Sequence, residues 1–166
     1  MFFKKLVGFT IVPLISIGCS TGSVPELTDA ERTTASAAVE SKVELFALAA
    51  AERDAQILAP MLAADVEFVD FAQGFSGDAA SLEWLQGLYG NFESWEMGWD
   101  EITVDVLSGD VAVATAVGSL LRQRNDGRVQ EADRSLLFTA VFQNVDGNWL
   151  ATHIHLSGSV QTVETP

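Results

Sequence analysis

His153 and His155 are the only histidines in the chain, and they stand two residues apart in the run Thr152-His153-Ile154-His155. On a strand that spacing turns both imidazoles to the same side, about 7 Å apart. Such a pair can give a zinc ion two ligands, but a zinc site needs a third. No further histidine exists, so an Asp or Glu would have to complete it, and no metal site is expected. Either imidazole can also act as a general acid or base, and His155 is kept as a catalytic candidate. The plainer reading is structural. Alternation puts both histidines, with Trp149, on the face opposite Ile154 and Leu156, where they suit a sheet surface or a subunit interface. Cys19 is the single cysteine, which excludes a disulfide framework and a cysteine-based zinc site. Trp84, Trp95, Trp99 and Trp149 fall on different elements, a scatter that fits core and rim packing better than a sugar platform. Arg122, Arg124, Arg128 and Arg134 gather around one hairpin and read as a solvated tip with local charge pairing. No Gly-rich phosphate loop, nucleophile elbow or dinucleotide fingerprint occurs, so no cofactor is implied.

The chain has 166 residues, 48% of them hydrophobic and 19% charged. That is one domain with enough apolar material for a packed core. The formal net charge is −14. A surface this negative repels phosphate backbones, which argues against nucleic acid as a partner.

The start of the chain reads as an address. Lys4 and Lys5 precede an apolar run from Leu6 to Ile17. This run is shorter than the ~20 residues that span a bilayer comfortably, and it has the proportions of a secretory signal peptide. Ile15-Ser16-Ile17-Gly18-Cys19 resembles the lipobox of bacterial lipoproteins. That resemblance implies cleavage before Cys19, a diacylglycerol on its thiol and a fatty acyl chain such as palmitate on its amine. Two or more chains give stable membrane anchoring, at about 0.8 kcal/mol per buried CH₂. Ser20 after the cysteine is similar to outer-membrane sorting in Gram-negative cells, with the domain facing the periplasm. Residues 1–18 are thus expected as signal peptide, 19–28 as a small, polar tether and 29–162 as the folded domain.

Within that domain, helices come first and strands after. Val39, Val43, Phe46 and Ala50 recur at helical spacing in residues 29–51. A short second helix is expected over 53–63, with Pro60 distorting its end. Val66 to Phe71 reads as a strand, 73–78 as a loop, and 79–93 as a third helix with Leu82, Leu85, Tyr89 and Phe92 on one stripe. From Trp95 on the period becomes two. Asn125-Asp126-Gly127 and Asp146-Gly147 mark turns between long strands. Leu136, Phe138, Ala140 and Phe142 face one way, and Leu137 and Val141 the other. Ala112, Ala114 and Ala116 likewise oppose Val113 and Val117. A sheet apolar on both faces must be covered on both, and three helices cover one. The second face is expected to join a homodimer.

This order of elements resembles the SnoaL-like, or nuclear transport factor 2-like, superfamily. Asp146-Gly147-Asn148-Trp149 followed by His153-Ile154-His155-Leu156-Ser157-Gly158 is similar to the ending of the branch that holds the calcium/calmodulin-dependent protein kinase II association domain. Gly109-Asp110-Val111-Ala112 and Phe75-Ser76-Gly77 resemble further stretches of that branch. The resemblance implies an α+β fold: a cone-shaped, curved antiparallel sheet packed on three N-terminal helices (cystatin-like), with a pocket on its concave face. It implies that Phe46, Ala116, Gly118, Phe138, Ala140, Phe142, Thr152, Ile154 and Leu156 line that pocket. The arginines that line it in the kinase association domain align with Gly118, Ala140 and Leu156, so a carboxylate ligand held in that manner is not expected. An apolar wall suits a small hydrophobic molecule; the equal alternative is that side chains and helices simply fill the space. In ketosteroid isomerase, an enzyme of this fold, the general base falls at Asp70. There, Phe68, Phe71 and Phe75 would raise the carboxyl's pKa; the plainer reading is an Asp capping the loop that follows. That enzyme's oxyanion donors fall on Phe46 and on Thr139 or Ala140. The leading expectation is a non-catalytic module binding a small apolar ligand or a partner. Isomerase, cyclase or hydrolase chemistry through Asp70 and His155, and a pure assembly domain, are the alternatives.

Overall fold

The computed structural model describes residues 26–71 and 73–163. The signal peptide, Cys19 and most of the tether lie outside the described residues. Helix α1 runs Asp29–Glu52 and opens with a capping box, in which Thr28 and Glu31 satisfy each other's backbone N–H groups. It stops at Arg53, whose φ of 53° is left-handed. The second helix, Ala55–Met61, is 3₁₀ rather than α and contains Pro60. Asp54 caps it by accepting from the Gln56 N–H at 2.9 Å. Helix α2 spans Asp78–Tyr89, shorter than the sequence suggested, and Phe92 already begins a strand.

The strands are β1 Leu62–Asp70, β2 Gln73–Ser76, β3 Phe92–Val106, β4 Val111–Arg124, β5 Val129–Val145, β6 Asn148–Gly158 and β7 Gln161–Val163. They form one sheet in the order β2-β1-β6-β5-β4-β3, with β7 paired to β5. The expected loop at 73–78 begins instead as strand β2. All pairings are antiparallel except β1 with β6, which run parallel. The sheet is therefore mixed.

Register irregularities interrupt several strand pairs, three of them in the long strands that face α1. One interrupts β3 between Trp99 and Glu101. Another lies where Gly118 and Leu120 of β4 face Leu136 and Ala132 of β5. There Arg134 takes a φ of 47° and its N–H donates to Ser119 Oγ at 2.9 Å. The third makes Thr152 an extra residue in β6, because Ala151 pairs with Phe142 while His153 pairs with the adjacent Val141. A bulge resets the two-residue alternation. Trp149 and Ala151 point inward, as do Ile154 and Leu156, while His153 and His155 are exposed. Trp149, expected beside the histidines, is instead 4% exposed in the core.

The core sits between α1 and the concave face. Val39, Val43 and Phe46 of α1 pack with Ala112, Ala114, Ala140, Phe142 and Ala151. Trp99 closes one part of it. A Cβ at Gly118 would stand 2.7 Å from the Trp99 ring and 2.5 Å from the Gly98 carbonyl oxygen, so only glycine fits. The Trp99 indole N–H donates to the Val43 carbonyl at 3.0 Å.

Candidate active site

A cavity of about 210 Å³ opens at the α2 end of the cone. Phe68 and Asp70 of β1, Trp84, Leu88 and Tyr89 of α2, Trp95 of β3, Arg122 of β4 and Leu156 of β6 are among its walls. Phe71 and Gln73 at its rim are exposed. Phe71 holds a φ of 43° while its N–H donates to the Leu156 carbonyl at 3.0 Å. A bulky residue in the left-handed region is strained, and here it follows the carboxylate directly.

Asp70 is 5% exposed. Its Oδ2 accepts from the Trp84 indole N–H at 3.2 Å. Its Oδ1 is sealed from solvent and has no partner among the described residues. Trp84 is itself held by Phe75, stacked at 4.9 Å between ring centroids. Burial pushes the Asp70 carboxyl above the usual carboxylate range, and the Trp84 hydrogen bond and the Arg122 charge pull against that shift without cancelling it.

Arg122 is half-buried. Its guanidinium lies 4.4 Å from the Phe92 ring centroid and 4.5 Å from that of Trp95, a cation–π sandwich. Its Nε donates to Gln130 Oε1 at 3.0 Å. Burial lowers its pKa to about 10, against the opposing pull of Asp70, so it stays charged at neutral pH. It makes no contact ion pair with Asp70 among the described residues. The Tyr89 ring meets Trp95 edge-on at 5.1 Å. Burial, and then the Asp70 charge, push its hydroxyl pKa up, so it remains a protonated donor.

Asp70 and Leu156 were both expected at the site, and both line this cavity, as does Phe46. The other expected lining residues do not. Ala116, Gly118, Phe138, Ala140, Phe142 and Ile154 lie on the concave face as foreseen, but protein fills the space above them. Phe138 packs edge-on to Phe46 at 5.1 Å and tilted against Trp99 at 5.4 Å. The small residues accommodate α1 and Trp99. Thr152 sits in the bulge, where its hydroxyl donates to the Val141 carbonyl at 3.3 Å. His155 is on the outer face, pairing with Thr139 on β5 and Val69 on β1, and does not reach the cavity. Among the described residues no group of three His, Cys, Asp or Glu side chains is arranged to hold a metal.

Arg122 also departs from the hairpin-tip reading. Arg124 and Arg128 do pair with Asp126, at 3.6 and 2.6 Å, but Arg122 turns inward. The parity of β4 carried that information, since Ala112, Ala114, Ala116, Gly118 and Leu120 are all inward and Arg122 continues the series. Tyr89 was visible only as one more residue of an apolar stripe.

The sequence matches the SnoaL-like domain family over residues 39–161. The chain belongs to the SnoaL-like family. Solved structures agree on the fold. A hexachlorocyclohexane dehydrochlorinase, LinA type 2, superposes with a TM-score of 0.75 at 13% identity, covering 82% of this chain and 94% of that one. A candidate scytalone dehydratase from Novosphingobium aromaticivorans gives 0.74 at 16%, covering 84% and 94%. A candidate calcium/calmodulin-dependent protein kinase II association domain from Xanthomonas campestris gives 0.62 at 18%, covering 73% and 85%. No curated protein matches the chain. In this SnoaL-like chain the cavity lies at the α2 end of the sheet, and a carboxylate, a guanidinium and a phenol interrupt its mostly apolar lining.

Proposed function

We propose that this SnoaL-like domain binds a small, mostly apolar ring compound in the α2-end cavity and moves a proton on it through Asp70. An engineered apolar cavity of roughly 150 Å³ holds benzene, so a cavity of about 210 Å³ suits one ring with a short substituent. The observation that carries the catalytic part is the Asp70 carboxyl: buried in the cavity wall, with one oxygen lacking any donor among the described residues. A carboxylate so poorly solvated is a stronger base than one in water. This carboxyl favours the proton-transfer alternative over the plain binding module. In the proposed step Asp70 takes the proton from a carbon beside a carbonyl. The C–H electron pair becomes a C=C bond, the carbonyl π pair moves to oxygen, and return of the proton from Asp70 completes the cycle. The names of the dehydrochlorinase and dehydratase neighbours fit chemistry that begins with proton loss.

Solvent exchange tests this. Small ring ketones incubated with the full chain in deuterated buffer should exchange their α-protons, faster as pH rises through the Asp70 titration. Asp70→Asn should slow that exchange by roughly 10²–10⁴-fold. Ligand binding with no protein-dependent exchange would return the domain to a non-catalytic binder.

Anchoring and assembly belong to the same reading. A lipid on Cys19 would hold the domain at the outer membrane, facing the periplasm. Cys19→Ala should abolish labelling by a palmitate analogue and release the protein from membranes. On the outer sheet face, Val113, Val117, Leu137 and Val141 form an apolar centre, and Leu137 is 50% exposed. A second copy covering this face would bury it. Leu137→Asp should then convert a homodimer to a monomer in sedimentation with the fold intact. A wild-type monomer would refute the dimer.

A further inference from the structure

Of the positions aligned with the oxyanion donors of ketosteroid isomerase, Phe46 and Ala140 carry no donor and Thr139 is exposed outside the cavity, yet Tyr89 and Arg122 bring donors to it from elsewhere in the chain. Tyr89 is 3% exposed, lines the cavity, and its hydroxyl donates to no described residue. Arg122 is fixed by two aromatic faces and by Gln130, bonded through Nε alone. Its terminal nitrogens donate to no described residue and are not among the sealed atoms. Tyr89, Arg122 and one carboxylate thus share a cavity whose remaining walls are mostly apolar, with Gln73 at the rim and the Trp95 indole N–H sealed from solvent without a partner among the described residues.

Charge then narrows the ligand. With Asp70 ionised, the cavity holds one negative and one positive group. A permanently anionic ligand would meet Asp70 as a like charge. A neutral ligand that passes its proton to Asp70 leaves the net charge unchanged: the carboxyl becomes neutral as an oxygen becomes anionic beside Arg122. Donors aimed at charge that develops during reaction are worth most where water is excluded.

We propose that Tyr89 and Arg122 form the oxygen-binding end of this cavity. They select a compact ring compound with a carbonyl or phenolic oxygen and hold that oxygen as an anion once a proton has left the carbon beside the carbonyl, or the phenol itself. This rests on the Asp70 reading above. The two donors come from the last turn of α2 and the far end of β4, so the site forms only when α2 has packed against the sheet.

The test uses 4-nitrophenol with the full chain. Quenching of tryptophan fluorescence reports occupancy, since Trp84 and Trp95 line the cavity. The visible phenolate band reports the ionisation state of the bound oxygen. In Asp70→Asn, which removes the competing negative charge, the phenol should bind as phenolate at pH values where the free compound is protonated. Adding Tyr89→Phe or Arg122→Gln should each lower the bound phenolate fraction roughly tenfold to a hundredfold, the worth of a hydrogen bond to a charged group. Arg122→Lys should retain part of it. Tyr89→Phe loses one oxygen and keeps the ring on Trp95, so its fold is secure. Occupancy with an unchanged phenolate fraction in both variants would overturn the oxygen site and leave the Asp70 reading standing. No occupancy in any form would overturn both.

Discussion

One face of one strand passes through two different environments. Along β4 the inward residues run Ala112, Ala114, Ala116, Gly118, Leu120 and Arg122. The first four lie in a closed interior, where α1, Trp99, Phe138 and Phe142 occupy all the space the small side chains leave. The last two border a cavity with a carboxylate, a guanidinium and a phenol. Small residues on a concave face therefore do not mark a pocket in this fold, because large ones from neighbouring strands and helices fill the space. What marks the pocket is polarity. A buried polar group without a partner costs about 1–3 kcal/mol, and Asp70 Oδ1 and Trp95 Nε1 persist at the cavity, while among the described residues no such atom belongs to the closed interior under α1.

Truncation should separate the two ends most strongly. Phe138 is 1% exposed and touches both Phe46 and Trp99. Phe138→Ala should cost about 3–5 kcal/mol in urea unfolding, the range for large aromatic truncations in tight cores. Leu156 is half-buried on the cavity wall. Leu156→Ala should cost only about 1 kcal/mol, since part of its surface is already out of contact, and it should enlarge the ring compounds that bind. Equal losses at the two positions would mean that the ends are packed alike.

Much of this architecture was legible because it is local. The apolar spacing of α1, the Asn125-Asp126-Gly127 turn and the alternation of β4 and β5 each depend on residues near in sequence. The missing features are the non-local ones. The parallel pairing of β1 with β6 joins Phe68 to Ile154 across most of the domain. The extra residue at Thr152 cannot be read from β6 alone, since it exists only relative to β5, and it placed Trp149 on the wrong face. Gly118 looked like a pocket residue because nothing in its own strand shows that Trp99 of β3 lies over it. Asp70 was found through its family position. Arg122 was misread for a different reason: its nearness to the Asn125-Asp126-Gly127 turn outweighed a parity that was already in the sequence.

The smallest expected effect is the one that bears most directly on the comparison. Burial raises the folded-state pKa of Asp70 above its ordinary 3.8, so above that value the folded chain holds this proton more tightly than the unfolded chain does. Stability contributed at this position must then fall as pH rises from the ordinary value through the raised one, and stay low at neutral pH. Asp126 moves the opposite way, because Arg128 holds its carboxyl down to about 2 on the exposed hairpin. It is common to wild type and variant, so it cancels in their difference. Asp70→Asn cannot ionise. Its urea midpoint should match wild type near pH 3–4 and exceed it at pH 7 by about 1 kcal/mol equivalent, because the Trp84 hydrogen bond and the Arg122 charge offset part of the burial cost. That gain would mean the fold tolerates a destabilising carboxylate at one end of the cone, as expected of a position kept for chemistry. A variant less stable than wild type at neutral pH would mean that the ionised carboxylate supports the fold, and the cavity end would then be core like the other.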